Sequence, residues 1–126
     1  MDENEELPLP AIADSGSRQE FSTGSVRDTQ VGKGRWDLLP FGALLRVARM
    51  YEAGAEKYGD RNWEKGQPVS RFINSALRHT MRYLDGQSDE DHLAMACWNL
   101  LGALEMEERA GDRVSGALLD LPRHSE

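Results

Sequence analysis

The segment LAMACWNLLGAL, residues 93–104, carries one polar side chain, Asn99, among otherwise apolar or small residues. It falls short of the roughly 20 residues that a bilayer span requires. A helix that is apolar nearly all round is stable in water only when neighbouring elements cover it. The rest of the chain must therefore supply helices that pack against this one.

Two such helices are legible. From Phe41 to Tyr58 the apolar positions Phe41, Leu44, Leu45, Ala48, Tyr51, Ala55 and Tyr58 recur at steps of three and four, the mark of an amphipathic helix. Pro40 suits its first turn and Gly59 its end. After the turn-rich GDRNWEKGQP, Ser70 is placed to cap a second helix with Phe72, Ile73, Ala76, Leu77, Tyr83 and Leu84 on its apolar side, ended by Gly86. The third helix is expected to begin at an N-cap of Ser88 or Asp89, with acids in its first turn, and to run to about Arg109. Leu93, Ala96, Leu100 and Ala103 form one stripe of it, and Cys97 is expected to pack there as a small hydrophobe. No strand pattern of convincing length appears. The predicted fold is all-α, with residues 1–20 as a mobile acidic tail, 21–110 as the helical domain, and 111–126 as a tail or a short docking helix. Three helices of this size bury a modest core, so the apolar surplus of the third points to a homo-oligomer.

Charge restricts the partners. The net charge is −7, and residues 1–20 hold six acids against Arg18 alone, so the remainder is close to neutral. Neither part is the basic surface that grips polymeric nucleic acid. The acidic start lacks the features of a secretory signal, and with no span long enough for a membrane a cytoplasmic location is expected. A small anionic substrate remains compatible, because a few cations or a bound metal reverse the potential inside one pocket.

Several residues carry candidate chemistry. Glu52 and Glu56 stand one turn apart on the first helix, where like charges repel unless a cation lies between them; magnesium or manganese would suit, and so would a solvated face paired with Lys57. His79 shares the Phe72/Ala76/Tyr83 stripe, either as a hydrogen-bonded core residue or as a metal ligand. Arg78 and Arg82 align along one edge, suited to triphosphate oxygens or to surface ion pairs. Asp91 and His92 share the side of Asn99, whose amide needs partners from another helix or from a ligand. Lys33, Arg35, Arg61 and Asn62 are placed in Gly-rich or basic segments that suit phosphates, and Trp36 or Trp63 would make a stacking wall for a base. Neither segment is a P-loop.

The ordered set FSTGSVRDTQVGKGRWDLLP, YEAGAEKYGDRNWEKG, SALRHTMRYLDG and DEDHLAMACWNLLGALEMEE resembles the phage and bacterial dATP/dGTP diphosphohydrolases, a group similar to the all-α, MazG-like nucleotide pyrophosphohydrolases. The resemblance covers about residues 21–108. It implies a small MazG-like helical bundle working as a dimer or tetramer, with Mg2+ or Mn2+ holding a purine deoxynucleoside triphosphate while water cleaves between the α- and β-phosphates. Such enzymes adjust nucleotide pools in phage or bacterial metabolism.

MazG-like enzymes usually carry EExxE on one helix and ExxD on the next. Here Arg78, His79 and Arg82 stand where the first motif would be sought, and Asp91 is followed by Ala94. The resemblance therefore gives metal ligation to Glu52, Glu56, His79 and Asp91, catalytic roles to Glu52, Glu56 and Asp91, and substrate contacts to Lys33, Arg35, Arg61, Asn62, Trp63, Arg78, Arg82 and Asn99, with His92 and Asn99 as reserve ligands. Two rival expectations are an HD-like site built on His79 and Asp91/His92 that releases tripolyphosphate, and a non-catalytic helical interaction protein.

Overall fold

The computed structural model describes residues 6–110 and 118–122, in two compact units divided between Leu39 and Pro40. Residues 1–5 of the expected tail, and 111–117 and 123–126 of the expected C-terminal tail or docking helix, lie outside the described residues.

The first unit is built on a small antiparallel hairpin, β1 (Arg18–Glu20) and β2 (Val26–Asp28), with Gln19 opposite Arg27. Gly24, at φ 88°, turns the chain, and its N–H donates to the Phe21 carbonyl at 2.9 Å. The absence of strands expected from the sequence is corrected here. Both strands are largely exposed, so they carry no apolar alternation to read. Asp28 gathers the unit: it accepts from Ser15 Oγ at 2.6 Å and Lys33 Nζ at 3.0 Å, and these contacts hold its carboxyl well below the usual range. A 3-10 turn follows at Trp36–Leu38. The hairpin joins residues on either side of the division expected after residue 20.

The second unit contains α1 (Phe41–Tyr58), a 3-10 turn (Asn62–Lys65), α2 (Val69–Leu84) and α3 (His92–Glu108). These make the protein all-α in class. The periodicity predicts the bounds of α1. Pro40 stands just outside as its N-cap, in extended conformation, and Gly59 ends it at φ 92°. The cap of α2 differs from expectation. Ser70 lies inside the first turn, and Asp120 from the C-terminal segment accepts its N–H at 2.9 Å and its hydroxyl in a short hydrogen bond. That segment also offers the Leu118 carbonyl to Val69 N–H at 2.9 Å.

The start of α3 is corrected as well. Asp91, not Ser88 or Asp89, is the N-cap, accepting from Ala94 N–H at 3.3 Å, and no acid stands in the first turn. The core joins Phe72 of α2 to Ala103 and Met106 of α3, with Trp63, Val69, Ile73, Leu118 and Leu119 packed against it. Gly102 allows this approach, because a Cβ there would lie 2.7 Å from Phe72 Cδ1.

The expectation that α3 is covered on all sides fails within one chain. Its small residues Ala94, Ala96, Gly102 and Ala103 are buried, while Leu100 and Leu104 remain 46% and 56% exposed. The expected stripe thus splits, alanines inward and leucines outward. Cys97 is exposed on the leucine side, since two neighbouring helices cannot surround a third. Among the described residues no helix is long and apolar enough to cross a membrane.

Candidate active site

A cleft of about 1110 Å³ runs through the second unit, lined by residues of all three helices and the 3-10 turn. The part of α2 that faces it runs from Arg82 to Arg71, eleven residues or about 16 Å of helix. Arg82, His79 and Arg78 stand toward one end, with Glu90. Toward the other, Trp63 packs on the Phe72 core. Tyr51 sits edge-on to Trp63 and to Trp98, at centroid separations of 6.3 and 6.0 Å. Gly54 makes room for this aromatic wall: a Cβ there would meet Trp98 Cζ2 at 2.8 Å. Arg61, with φ 58°, is the one non-glycine residue at positive φ among those described. A left-handed backbone at a bulky residue costs about 1–3 kcal/mol and tends to mark functional loops.

The most unusual chemistry is a buried histidine pair. His79 and His92 face one another through their Nδ1 atoms at 2.9 Å, and His92 Nε2 lies 2.8 Å from Asp89 Oδ1. No buried side-chain nitrogen or oxygen among the described residues lacks a hydrogen-bond partner, and the polar contact of His79 is made through Nδ1. Its Nε2 is therefore not a buried atom, and the residue lines the cleft. Burial lowers the His79 pKa, and the Arg78 charge lowers it further, so the ring is neutral near pH 7. Among the described residues, ligand atoms of His79, Glu90 and His92 lie within 4.8 Å of one another. Two imidazole nitrogens sharing a metal at about 2.0–2.1 Å stand about 3 Å apart, close to the spacing seen here. The set is chemically able to hold a divalent ion.

The cleft gathers many of the residues the sequence singles out. Arg61, Asn62, Trp63, Arg78, His79, Arg82 and Asn99 all line it. Asn99 satisfies its amide within its own helix, Nδ2 donating to the Met95 carbonyl at 2.9 Å, which leaves Oδ1 for other partners. Glu52 and Glu56 are exposed on α1 and do not line the cleft. Asp91 is engaged elsewhere: Arg46 grips it with Nε at 3.1 Å and Nη2 at 2.5 Å, holding its carboxyl below the usual range. Lys33 and Arg35 belong to the first unit, paired with Asp28 at 3.0 Å and Asp37 at 2.7 Å.

Lining residues to which sequence reasoning gave no such role include Lys57, Arg71, Glu90, Tyr51 and Trp98. Lys57 and Glu90 read as ordinary solvated charges. Tyr51 reads as one of the apolar positions of the first helix. His92, a reserve in the sequence, becomes central because the path from α2 into α3 folds it back onto His79.

A buried histidine pair, flanking arginines and an aromatic wall in one helical cleft define an all-α domain equipped for a small anionic, ring-bearing ligand. Residues 23–114 match the family described as dATP/dGTP diphosphohydrolase, N-terminal, and the chain belongs to that family. It is accordingly a hydrolase of deoxynucleoside triphosphates of the dATP/dGTP diphosphohydrolase type. No match is found among curated proteins or solved structures.

Proposed function

We propose that the chain hydrolyses dGTP and dATP to the monophosphate and pyrophosphate with a divalent metal in the α1–α3 cleft, adjusting purine nucleotide pools. The observation that carries this reading is the gathering of Arg78, His79 and Arg82 with Tyr51, Trp63 and Trp98 in a single cleft. The arginines neutralise the triphosphate and hold the leaving pyrophosphate. Trp63 or Trp98 stacks on the base, and Lys57, Arg61, Asn62 and Asn99 are within the cleft to fix sugar and phosphates. Holding the metal through Nδ1, His79 would carry its proton on Nε2 and donate it to a phosphate oxygen.

His79, Glu90 and His92 would hold the metal, which when bound supplies positive charge and a water of lowered pKa. Two imidazoles in the donor set favour Mn2+ over Mg2+, which prefers oxygen. In this reading Glu90 and His92 take the part expected of Glu52, Glu56 and Asp91, and it is supported by the absence of those three carboxylates from the cleft lining. The exposed leucines of α3 support a homo-oligomer, since a contiguous apolar face in water favours association.

Chromatography of reactions with dGTP, dATP, GTP, ATP and pyrimidine triphosphates, with and without Mn2+, tests the proposal. Equal yields of deoxynucleoside monophosphate and pyrophosphate are expected, with the purine deoxynucleotides preferred. Tripolyphosphate with free deoxynucleoside would instead favour the HD-like reading, to which the His79–His92 contact is also suited. Absence of turnover together with no nucleotide binding in calorimetry would leave the interaction-protein reading.

A further inference from the structure

His92 is engaged at both ring nitrogens, and the two partners are chemically different. Asp89 Oδ1, 2.8 Å from Nε2, is a carboxylate oxygen and can only accept, so the His92 proton belongs on Nε2. A neutral imidazole carries one N–H, which leaves Nδ1 with its lone pair. That lone pair faces His79 Nδ1 at 2.9 Å, inside the group formed with Glu90. In the metal-free chain His79 donates its Nδ1 proton to that lone pair, and metal ligation at His79 Nδ1 requires this proton to move to Nε2.

We propose that Asp89 is a positioning residue, whose carboxylate keeps the His92 proton on Nε2 and so presents the Nδ1 lone pair to His79 and Glu90. The purpose assigned to that lone pair, metal ligation, rests on the reading given above. The surroundings separate Asp89 from its acidic neighbours. Asp91 is committed to Arg46 and the N-cap of α3, Asp85 accepts from Gln87 at 3.0 Å, and Glu90 belongs to the ligand group. The His92 side chain is fully buried whereas that of Asp89 is 65% exposed. A buried ring is thus fixed from outside by a group that can be replaced without opening the core. A carboxylate on the far nitrogen of a metal-binding histidine fixes its tautomer and orientation, and losing such a partner costs about 10–100-fold in metal affinity.

The full chain, labelled with 15N-histidine and free of metal, reports the tautomer directly by NMR. The wild type is expected to show His92 protonated at Nε2, with a slowly exchanging downfield proton, and unprotonated at Nδ1. Asp89→Ala is expected to lose that proton signal and to bind Mn2+ about 10–100-fold more weakly in calorimetry, while Asp89→Glu recovers both. An unprotonated Nε2 in the wild type overturns the proposal. So does an Asp89→Ala chain that keeps the protected proton or binds Mn2+ like the wild type. If the wild type takes up no Mn2+, the metal reading falls, and the NMR result alone decides whether Asp89 sets the His92 tautomer.

Discussion

Glu90 and Asp91 are adjacent acids with different commitments. Asp91 is drawn to the start of α3, where its carboxylate meets Ala94 N–H and the Arg46 guanidinium; Glu90 stands one residue earlier and reaches the His79–His92 pair. Sequence spacing points to Asp91 because it shares a helix side with Asn99, but a residue whose oxygens already face an arginine has little left for a metal. A direct contrast follows. Glu90→Gln is expected to reduce Mn2+ affinity by about 100-fold or more, above the loss typical of an outer partner. Glu56→Gln, exposed and outside the cleft, is expected to leave both Mn2+ binding and turnover within about twofold, as is usual for surface changes away from special features. Calorimetry and the chromatographic assay on both variants check this. His79, Arg78, Arg82 and Asn99 were legible because a polar group beside an apolar stripe stands out; Glu90 was not, since it precedes the helix and belongs to no stripe.

The helices themselves are set by local pattern, but their ends and contacts depend on distant residues. Asp120, fifty positions from Ser70, caps α2, an arrangement that no local signal could announce. The Ser70 hydrogen bonds lower the Asp120 pKa below its ordinary 3.8. A carboxyl depressed in the folded state stabilises fully above the unfolded value and loses that contribution as pH falls through the folded one. Asp120→Asn is therefore expected to melt earlier at pH 7 and to converge with the wild type well below pH 3.8, as thermal circular dichroism across pH would show. Glycines give a second element-level test. Gly102→Ala would drive a methyl into the buried Phe72 ring, an overpacking cost near about 3 kcal/mol that exceeds the helix-propensity gain of about 1 kcal/mol. Gly42 lies in α1 with open space at its Cβ position, so Gly42→Ala is expected to be neutral or slightly stabilising. Denaturant titrations of the pair should diverge in sign.

For the molecule as a whole, the outward leucines of α3 matter most. Leu93, Leu100, Leu101 and Leu104 are all partly exposed, and they lie near one another at helical spacing with Cys97 among them. Covering such a face with a second copy would remove apolar surface from water at about 25 cal/mol per Å². Light scattering is expected to find a dimer or tetramer, and Leu104→Lys to shift it toward the monomer while preserving helical content. A wild-type monomer at high concentration would refute the association.

The apolar run at 93–104 and the three- and four-residue steps of the other two segments were enough to establish three helices, because periodicity is a property of neighbours along the chain. The same run could not reveal how α3 is covered. Burial depends on which helices reach it, and those among the described residues are too few to hide the leucines. The candidate site shows the same division. Arg78, Arg82, Trp63 and His79 stood out in the sequence as candidates, and the substrate class came from the family resemblance. Which nitrogen meets which, and that Asp89 and Glu90 rather than Asp91 lie beside the histidine pair, arose only when the link between α2 and α3 folded back, since hydrogen-bond partners are chosen by distance in space.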